Sequence, residues 1–180
     1  QLGAKSIASK NYPVVFSNEM FGNILRVYAS IFTGEAAFRN LTKLVGKQNT
    51  KIASPIVNLI DDPLHEKALF KVPFDDEGVA CKKRYWIKDG VFTDFAHNLK
   101  TAEIFKTTST GNGFTNGITP TNLYLEPQDI TFEQLIAPIK QGVYITNLVG
   151  LHAGAETVSG NFSLQAAGFE ILDGKINRPV

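Results

Sequence analysis

His65 and Glu66 stand side by side, as they do in the helix of a zinc protease, where the histidine binds the metal and the glutamate acts on the bound water. Such a helix needs a second histidine one turn later, so that both rings face one ion. The residue four positions after His65 is Leu69, and Pro63 and Pro73 bracket the segment. The pattern therefore predicts a histidine in a surface turn, not a metal-binding helix.

The other candidate metal ligands are His97, His152 and Cys81. Structural zinc sites usually carry paired ligands two to five residues apart. No two of the His and Cys residues of this sequence stand at such a spacing. The sequence therefore predicts no metal ligand in this chain.

Acidic side chains cluster at Asp61-Asp62 and at Asp75-Asp76-Glu77. Paired carboxylates can perform acid–base catalysis when burial drives their pKa values apart. Carboxylates beside glycine and proline are more often solvated turn formers, and Pro63 and Gly78 follow these two clusters directly. We expect turns and no catalytic residue. The alternative is an enzyme that brings at least two of these carboxylates and histidines into one pocket.

Two further short motifs have ordinary structural interpretations. Ser159-Gly160-Asn161 is not the G-x-S-x-G of a serine nucleophile, and no strand-turn-helix pattern follows it. Lys82-Lys83-Arg84 is a short basic run, which is more typical of an exposed sheet edge protected against aggregation than of a nucleic-acid site. Gly154, Gly160 and Gly168 indicate tight backbone geometry or the close approach of another backbone.

The composition is that of an ordinary soluble globular protein, with 43% hydrophobic and 19% charged residues and a net charge of +1. This balance gives no basic footprint for direct nucleic-acid binding. No apolar run approaches the roughly 20 residues of a membrane span, and the single cysteine favours a reducing compartment. We expect one domain over residues 1–180, truncated at both ends because no methionine begins the chain and Pro179-Val180 directly follow a strand-like stretch.

A strongly apolar helix is predicted near the N-terminus. Ser17 is a suitable N-cap, and apolar residues recur at helical spacing over Met20–Phe32. They cover so much of the circumference that the helix should be buried on most sides. Gly34 is expected to end it. A short second helix is predicted to open at the capping box Thr131–Gln134 and to end at Pro138.

Strands dominate the remaining sequence. Asp89-Gly90 and Asp173-Gly174 each stand between strand-like runs, which is a strong hairpin signal because both turn positions favour positive φ. The composition of Ser109–Asn116 predicts an exposed loop. Further strands are predicted at Tyr12–Phe16, Ile56–Ile60, Gly78–Ile87, Val91–Ala96, Val143–Val149 and Thr157–Leu164. The predicted fold class is α+β, mostly antiparallel β-sheet with one buried helix and one or two short helices.

Several blocks of the sequence, in matching order and spacing, resemble the TldD/PmbA family, and together they cover nearly the whole chain. The first resembles the family's P-F-D-x-E-G-V block, and the next its I-x-D-G hairpin. The long block near the end is similar to that of the TldE (PmbA) branch. The matching blocks are Pro73–Val79, Ile87–Val91, Thr101-Ala102, Ser109–Gly113, Gly150–Phe169, Asp173–Ile176 and Pro179-Val180.

The family contains zinc metalloproteases with an H-E-x-x-x-H helix and partner subunits without it. The resemblance places the three chemical positions of that helix on Val27, Tyr28 and Phe32, just before the turn Thr33–Phe38. Valine and phenylalanine cannot ligate zinc, and a tyrosine hydroxyl stays protonated near neutral pH and cannot replace the carboxylate base. No histidine occurs in residues 1–64, and the resemblance places the third zinc ligand beyond Val180.

The resemblance therefore implies a cytoplasmic, non-catalytic subunit of the TldE (PmbA) type with no cofactor of its own. A TldD-like partner would supply zinc and the glutamate base. The pair would cleave unfolded peptides, held by strand addition to a sheet edge. The chain could also assemble with copies of itself into a homo-oligomer. A binding or scaffold protein outside proteolysis is the alternative.

Neither nucleic-acid nor membrane contact is expected, so the family's name as a modulator of DNA gyrase is interpreted as an indirect effect. Two stretches, Gly150–Gly168 and Ser109–Asn116, are the candidates for contact with the partner and the peptide. Within them the expected contact residues are His152, Ser159, Asn161 and Asn112.

Overall fold

In the computed structural model, which describes residues 3–180, the apolar stretch after Ser17 forms a shorter helix than its sequence predicts. Helix α1 spans Asn18–Tyr28 and passes into a 3-10 helix over Ala29–Phe32. The Ser17 hydroxyl accepts a hydrogen bond from the Met20 N–H at 3.4 Å, which confirms the N-cap. Met20 is the one fully buried residue of α1, and its other apolar side chains are half-buried. The expectation of a helix buried on most sides is therefore wrong for this chain.

Gly34 begins a helix instead of ending one. The 3-10 helix stops at Phe32, and Thr33 is extended, with φ −100° and ψ 146°. The Thr33 hydroxyl accepts from the Ala36 N–H at 3.2 Å and so caps helix α2, Gly34–Phe38. A Cβ at Gly34 would overlap the His97 ring. Glycine is required here by close packing and not by helix termination.

The chain divides into two compact units. The first comprises the residues up to Val27, Gln128–Ala155 and Phe162–Val180; the second comprises Tyr28–Pro127 and Glu156–Asn161. Compact units are not necessarily separate domains, so the expectation of one domain over residues 1–180 stays a prediction.

The first unit is built on a four-stranded sheet in the order β1-β9-β12-β13. β1 pairs parallel with β9, and β12 is antiparallel to both of its neighbours. The helices of this unit besides α1 are short, and the capping box of Thr131 and Gln134 opens the first of them, as predicted. The bounds are Val14–Phe16 for β1, Phe132–Ile136 for α4, Gln141–Val149 for β9, Leu151–Gly154 for α5, Gln165–Leu172 for β12 and Lys175–Pro179 for β13.

The second unit contains a five-stranded antiparallel sheet in the order β2-β5-β4-β3-β8. Trp86 and Phe92 are 0% exposed at its centre. The Phe32 ring lies 5.3 Å from that of Trp86 and 5.8 Å from that of Phe92. The bounds are Thr50–Lys51 for β2, Leu59–Asp61 for β3, Arg84–Lys88 for β4, Val91–Phe92 for β5, Leu99–Phe105 for α3, Gly113–Phe114 for β6, Gly117–Ile118 for β7 and Leu123–Leu125 for β8.

Both Asp-Gly hairpins are confirmed. Asp89 and Gly90 have φ values of 51° and 78°, and Asp173 and Gly174 have 46° and 72°. Both residues of each pair thus adopt the left-handed conformation that tight hairpin turns require. The first turn joins β4 to β5 and the second joins β12 to β13.

Several predicted strands are shorter than expected. The run Gly78–Ile87 yields only β4 because Gly78, with φ 78°, lies in a turn. The run Thr157–Leu164 is a turn followed by the short strand β11, Asn161–Phe162, which pairs with β10, Ala155–Glu156. The fold class α+β is nevertheless confirmed, with mostly antiparallel sheets and a few short helices. Among the described helices, none has the length and apolar character needed to span a bilayer.

Gly168 permits a β-bulge in the first unit. The register between β12 and β9 shifts between Ala167 and Gly168. A Cβ at Gly168 would overlap the carbonyl oxygen of Tyr144 on β9, so only glycine allows the two backbones to approach this closely.

We expect Gly168→Ala to lower the free energy of unfolding by about 2 kcal/mol, since the added methyl must displace the strand backbone. Gly22→Ala is the matched control, because a Cβ added at Gly22 meets no atom within 4 Å and alanine favours a helix interior by up to about 1 kcal/mol. Thermal unfolding of the two variants checks this. Equal midpoints would contradict the role given to Gly168.

Candidate functional site

Asp61 is the centre of a buried polar network in the second unit. Its side chain is 1% exposed. One carboxylate oxygen accepts from the Thr121 N–H at 2.8 Å, the Thr121 hydroxyl at 2.7 Å and the Asn122 N–H at 2.9 Å. The other accepts from the Asn112 side-chain amide at 2.9 Å. The expectation of a solvated carboxylate is wrong here; Asp61 ties β3 to two distant loops.

Asp75 is a second buried carboxylate that joins distant segments of the chain. It is 3% exposed, and one of its oxygens accepts from the Glu77 and Val79 N–H groups at 3.1 and 2.8 Å, closing a turn. The other accepts from the Gly113 N–H at 2.8 Å. The predicted turn is present but buried. Because both oxygens already accept from backbone donors, Asp75 is occupied structurally and is poorly placed for acid–base work.

The loop that follows Ser109 is buried where it was expected to be exposed. Gly111, Asn112 and Gly113 are buried, with Asn112 2% exposed. The Thr110 hydroxyl donates to the Asn112 side-chain oxygen at 2.7 Å. Exposure begins only at Thr115 and Asn116. A direct contact of the Asn112 side chain with a partner would require this loop to open.

Cys81 and His97 support the same loop from two sides. The Cys81 thiol donates to the Gly111 carbonyl at 2.9 Å, and burial raises the pKa of that thiol. The His97 carbonyl accepts from the Thr110 N–H at 3.0 Å. The Nδ1 atom of the His97 ring lies 3.1 Å from the Thr101 hydroxyl. Burial lowers the pKa of His97, which favours the neutral ring. Both residues therefore hold the loop in place.

The other two histidines lie apart from this network. His65 is in a turn, as predicted, where its Nδ1 accepts from the Lys67 N–H at 3.2 Å and its ring lies 4.9 Å from that of Tyr124. His152 is exposed on α5. Over residues 3–180, no three His, Cys, Asp or Glu side chains are grouped closely enough to hold one metal ion.

The basic run Lys82-Lys83-Arg84 does not form an exposed edge. Arg84 begins β4, which is an inner strand, and its guanidinium donates to the Phe95 carbonyl at 3.1 Å. Burial lowers the pKa of Arg84. Lys83 is exposed and lies 3.5 Å from Asp62. The interpretation of this run as an exposed sheet edge is therefore wrong, and the Arg84 side chain stabilises the interior of the second unit.

The three positions predicted to replace the protease motif have structural contacts, and their assignment to that motif stays a prediction. Phe32 is 7% exposed within the aromatic core around Trp86. The Tyr28 hydroxyl donates to the Asn161 carbonyl at 2.8 Å. Val27 is half-buried. Since Val27 and Phe32 have no atom that coordinates a metal, these positions do not fit a zinc ion.

A surface groove of about 490 Å³ in the second unit brings the two predicted contact stretches together. Asn116 reaches it from one stretch, and Thr157 and Val158 reach it from the other. The charged residues of the groove are Glu35 and Arg39, which form an ion pair at 2.6 Å, and Lys100. We call this depression the Lys100 groove. Its lining combines one net positive charge with apolar side chains such as Leu41, Ile118 and Val158, which suits a peptide or protein segment.

The predicted contact residues stand in different relations to the Lys100 groove. Ser159 and Asn161 follow Val158 directly; the Ser159 hydroxyl donates to Glu156 at 2.9 Å and accepts from the Asn161 N–H at 3.1 Å. Asn161 is exposed and Ser159 half-buried. Asn112 is buried in its loop and does not line the groove. Their binding roles stay predictions.

Sequence reasoning missed Asn98 and Thr101, which order one wall of the groove. The Asn98 side-chain oxygen accepts from the Thr101 N–H at 2.9 Å, and the Thr101 hydroxyl accepts from the Asn98 N–H at 3.2 Å. This capping box opens α3. The spacing Asn-x-x-Thr was a readable signal. Asp61 gave no such signal, because its partners are 51 to 61 residues away in sequence.

Comparisons with known proteins agree on one family. A profile of the PmbA/TldA metallopeptidase C-terminal domain matches residues 9–180. The chain is 32% identical over 180 residues to a metalloprotease PmbA homolog of Buchnera aphidicola and 29% identical over 180 residues to metalloprotease PmbA of Escherichia coli O157:H7. In both cases it is matched over 100% of its own length and spans 39% of the relative.

Two solved structures have the same fold. One is a Thermotoga maritima protein described as a candidate modulator of a DNA gyrase, with a TM-score of 0.95 and 40% identity over 99% of this chain and 42% of that one. The other is TldE from Thermococcus kodakarensis, with a TM-score of 0.82 and 30% identity over 93% of this chain and 40% of that one.

We expect the free energy of unfolding to fall as the pH drops from 7 to 5, in part through His97. Because burial lowers the pKa of His97 in the folded state, the unfolded chain binds the proton more readily. Stability is therefore level above the ordinary pKa of about 6.5 and declines below it, by at most about 1.4 kcal/mol per pH unit from this group.

Urea unfolding at a series of pH values checks this. His97→Gln keeps a polar group beside Thr101 and should flatten the decline, whereas the exposed control His152→Gln should leave it unchanged. An identical slope in both variants would contradict the assignment.

Proposed function

Because this chain belongs to the PmbA/TldD metallopeptidase family, we propose that it is the C-terminal domain of a non-catalytic, TldE-like subunit of a zinc protease. A TldD-like partner supplies the metal and the glutamate base. Together the two subunits degrade unfolded peptides in the cytoplasm. The chain spans about 40% of the length of the relatives it matches, so the activity concerns a larger assembly.

One observation carries this proposal: Val27 and Phe32, the positions that we assign to the metal ligands of the protease branch, have hydrocarbon side chains. Phe32 stacks in the core with Trp86 and Phe92, and the Tyr28 hydroxyl is already bonded to the Asn161 carbonyl. A histidine at position 32 would place polar ring nitrogens in this aromatic cluster, which is unfavourable unless they find hydrogen-bond partners. The similarity to a TldE structure supports the same assignment.

The buried network supports a scaffolding role for the loop regions. Asp61, Asp75 and His97 hold the loop before β6 from three directions. The exposed end of that hairpin, Asn116, then lies in the Lys100 groove with Thr157 and Val158. A hydrogen-bonded loop that leads into a surface groove suits a partner- or peptide-binding surface, because less ordering entropy is lost on binding.

The test of the non-catalytic assignment is zinc stoichiometry. We expect purified full-length protein, dialysed exhaustively against a mild chelator, to retain near-zero zinc by elemental analysis. Adding the TldD-like subunit should then restore both zinc and peptide cleavage. About one tightly bound zinc per chain in the protein alone would refute the assignment.

The test of the Lys100 groove is charge reversal at its cationic wall. Lys100 lies in the groove, whereas Lys175 is on β13 of the other unit. We expect Lys100→Glu to weaken partner binding or peptide cleavage about tenfold, the equivalent of about 1.4 kcal/mol. Lys175→Glu should leave both unchanged. Pulldown and cleavage assays distinguish the two, and equal activity of both variants would remove the groove from the binding surface.

A further inference from the structure

Strand β8 forms an edge of the five-stranded sheet and contains neither a charged residue nor a proline. At the opposite edge, β2 is only two residues long and includes Lys51. In the other sheet, edge strand β13 carries Lys175, Arg178 and Pro179. Charge and proline both discourage edge-to-edge association. β8 is Leu123-Tyr124-Leu125, with no charge, no proline and an unshifted register against β3.

The hydrogen-bond pattern fixes which groups of β8 point outward. Tyr124 lies opposite Ile60, the Glu126 N–H donates to the Asn58 carbonyl at 2.9 Å, and the Asp62 N–H donates to the Asn122 carbonyl at 3.1 Å. The backbone groups of residues 122, 124 and 126 therefore face β3. By alternation, those of Leu123 and Leu125 face away from it. No strand within residues 3–180 pairs with that side.

We propose that β8 pairs antiparallel with β8 of a second copy of this chain, about a two-fold axis at Tyr124. The segment Asn122-Leu123-Tyr124-Leu125-Glu126 is nearly palindromic. In this register Leu123 of one copy lies opposite Leu125 of the other, and these are the residues whose N–H and C=O groups point outward. The contact is isologous, and its two Leu–Leu pairs form about four backbone hydrogen bonds.

Charge is compatible with self-pairing. The depression of about 480 Å³ beside β8 is lined by Glu66 and Lys67, whose charges cancel. At the ends of the paired strands Asn122 of one copy meets Glu126 of the other, so no like charges are opposed. A self-complementary contact requires this neutrality, because every charge on one copy is repeated on its partner.

Exposed apolar surface adjoins the edge. Leu69 lines the same depression and is 88% exposed, and Phe70, whose carbonyl accepts from the Asn122 side chain at 3.4 Å, is 75% exposed. Large apolar side chains beside an open edge favour association. A second copy would cover them while it completes the backbone pairing.

A single cysteine on the two-fold axis tests the register. Tyr124 is its own partner in the proposed pairing, at a non-hydrogen-bonded position where Cα atoms lie about 4.5 Å apart, within the range of about 4.4 to 6.8 Å that a disulfide spans. Full-length protein carrying Tyr124→Cys should therefore cross-link to a covalent dimer under mild oxidation. Leu123→Cys, one residue off the axis, should not, while a mixture of Leu123→Cys and Leu125→Cys proteins should. Native Cys81 is buried and common to all samples.

A second variant tests the pairing itself. Leu123→Pro removes an outward N–H and leaves the β3–β8 hydrogen bonds intact, so the protein should keep its fold by circular dichroism. Combined with Tyr124→Cys it should lose at least nine-tenths of the cross-linked dimer. Three outcomes would each overturn the proposal. They are a failure of both Tyr124→Cys and Leu123→Cys to cross-link, equal cross-linking of these two variants, and a dimer that is unaffected by Leu123→Pro. None of these outcomes depends on zinc or on cleavage. The cross-linking test is therefore independent of the test of the protease assignment.

Discussion

The buried carboxylate of Asp61 is the interaction on which the second unit most depends. Four donors from two loops converge on it. A buried charge without such donors would cost several kcal/mol, so the loops and the carboxylate require one another. These hydrogen bonds join the end of β3 to the Asn112 loop and to Thr121 and Asn122, which precede β8. One polar group thus contacts the segments that lead to both of the surfaces that we assign to binding.

Local signals in the sequence predicted local structure well. The Asp-Gly hairpins and the Thr131 capping box follow from residues within a few positions of each other, so adjacent sequence is enough to predict them. The polar loop 109–116 was misjudged for the opposite reason. Its composition resembles that of a solvated loop, but its partners Asp61 and Asp75 are 51 and 38 residues away. Side-chain composition cannot reveal burial that depends on such distant groups.

The N-terminal helix illustrates a different limit of sequence reasoning. Periodicity reports how apolar a helix is, but not what covers it. In α1 the apolar side chains other than Met20 are only half-buried, although the following 3-10 turn places Phe32 fully in the aromatic core. The motif positions are a different case, because a side chain that cannot coordinate zinc is recognised from its identity alone, while their alignment with the protease motif stays a prediction.

The bulge opposite Gly168 has a consequence for how β9 is used. Side chains alternate between the two faces of a strand, and one extra residue reverses that alternation. Ala167 pairs with Asn147 and Gly168 with Ile145, so Thr146 is the extra residue, and the residues of β9 on its two sides follow opposite parities relative to β12. One continuous strand can in this way present unrelated sequence patterns to the same side of the sheet. Its two halves can consequently accumulate substitutions under separate constraints, while a deletion at the bulge would force them into a single shared pattern.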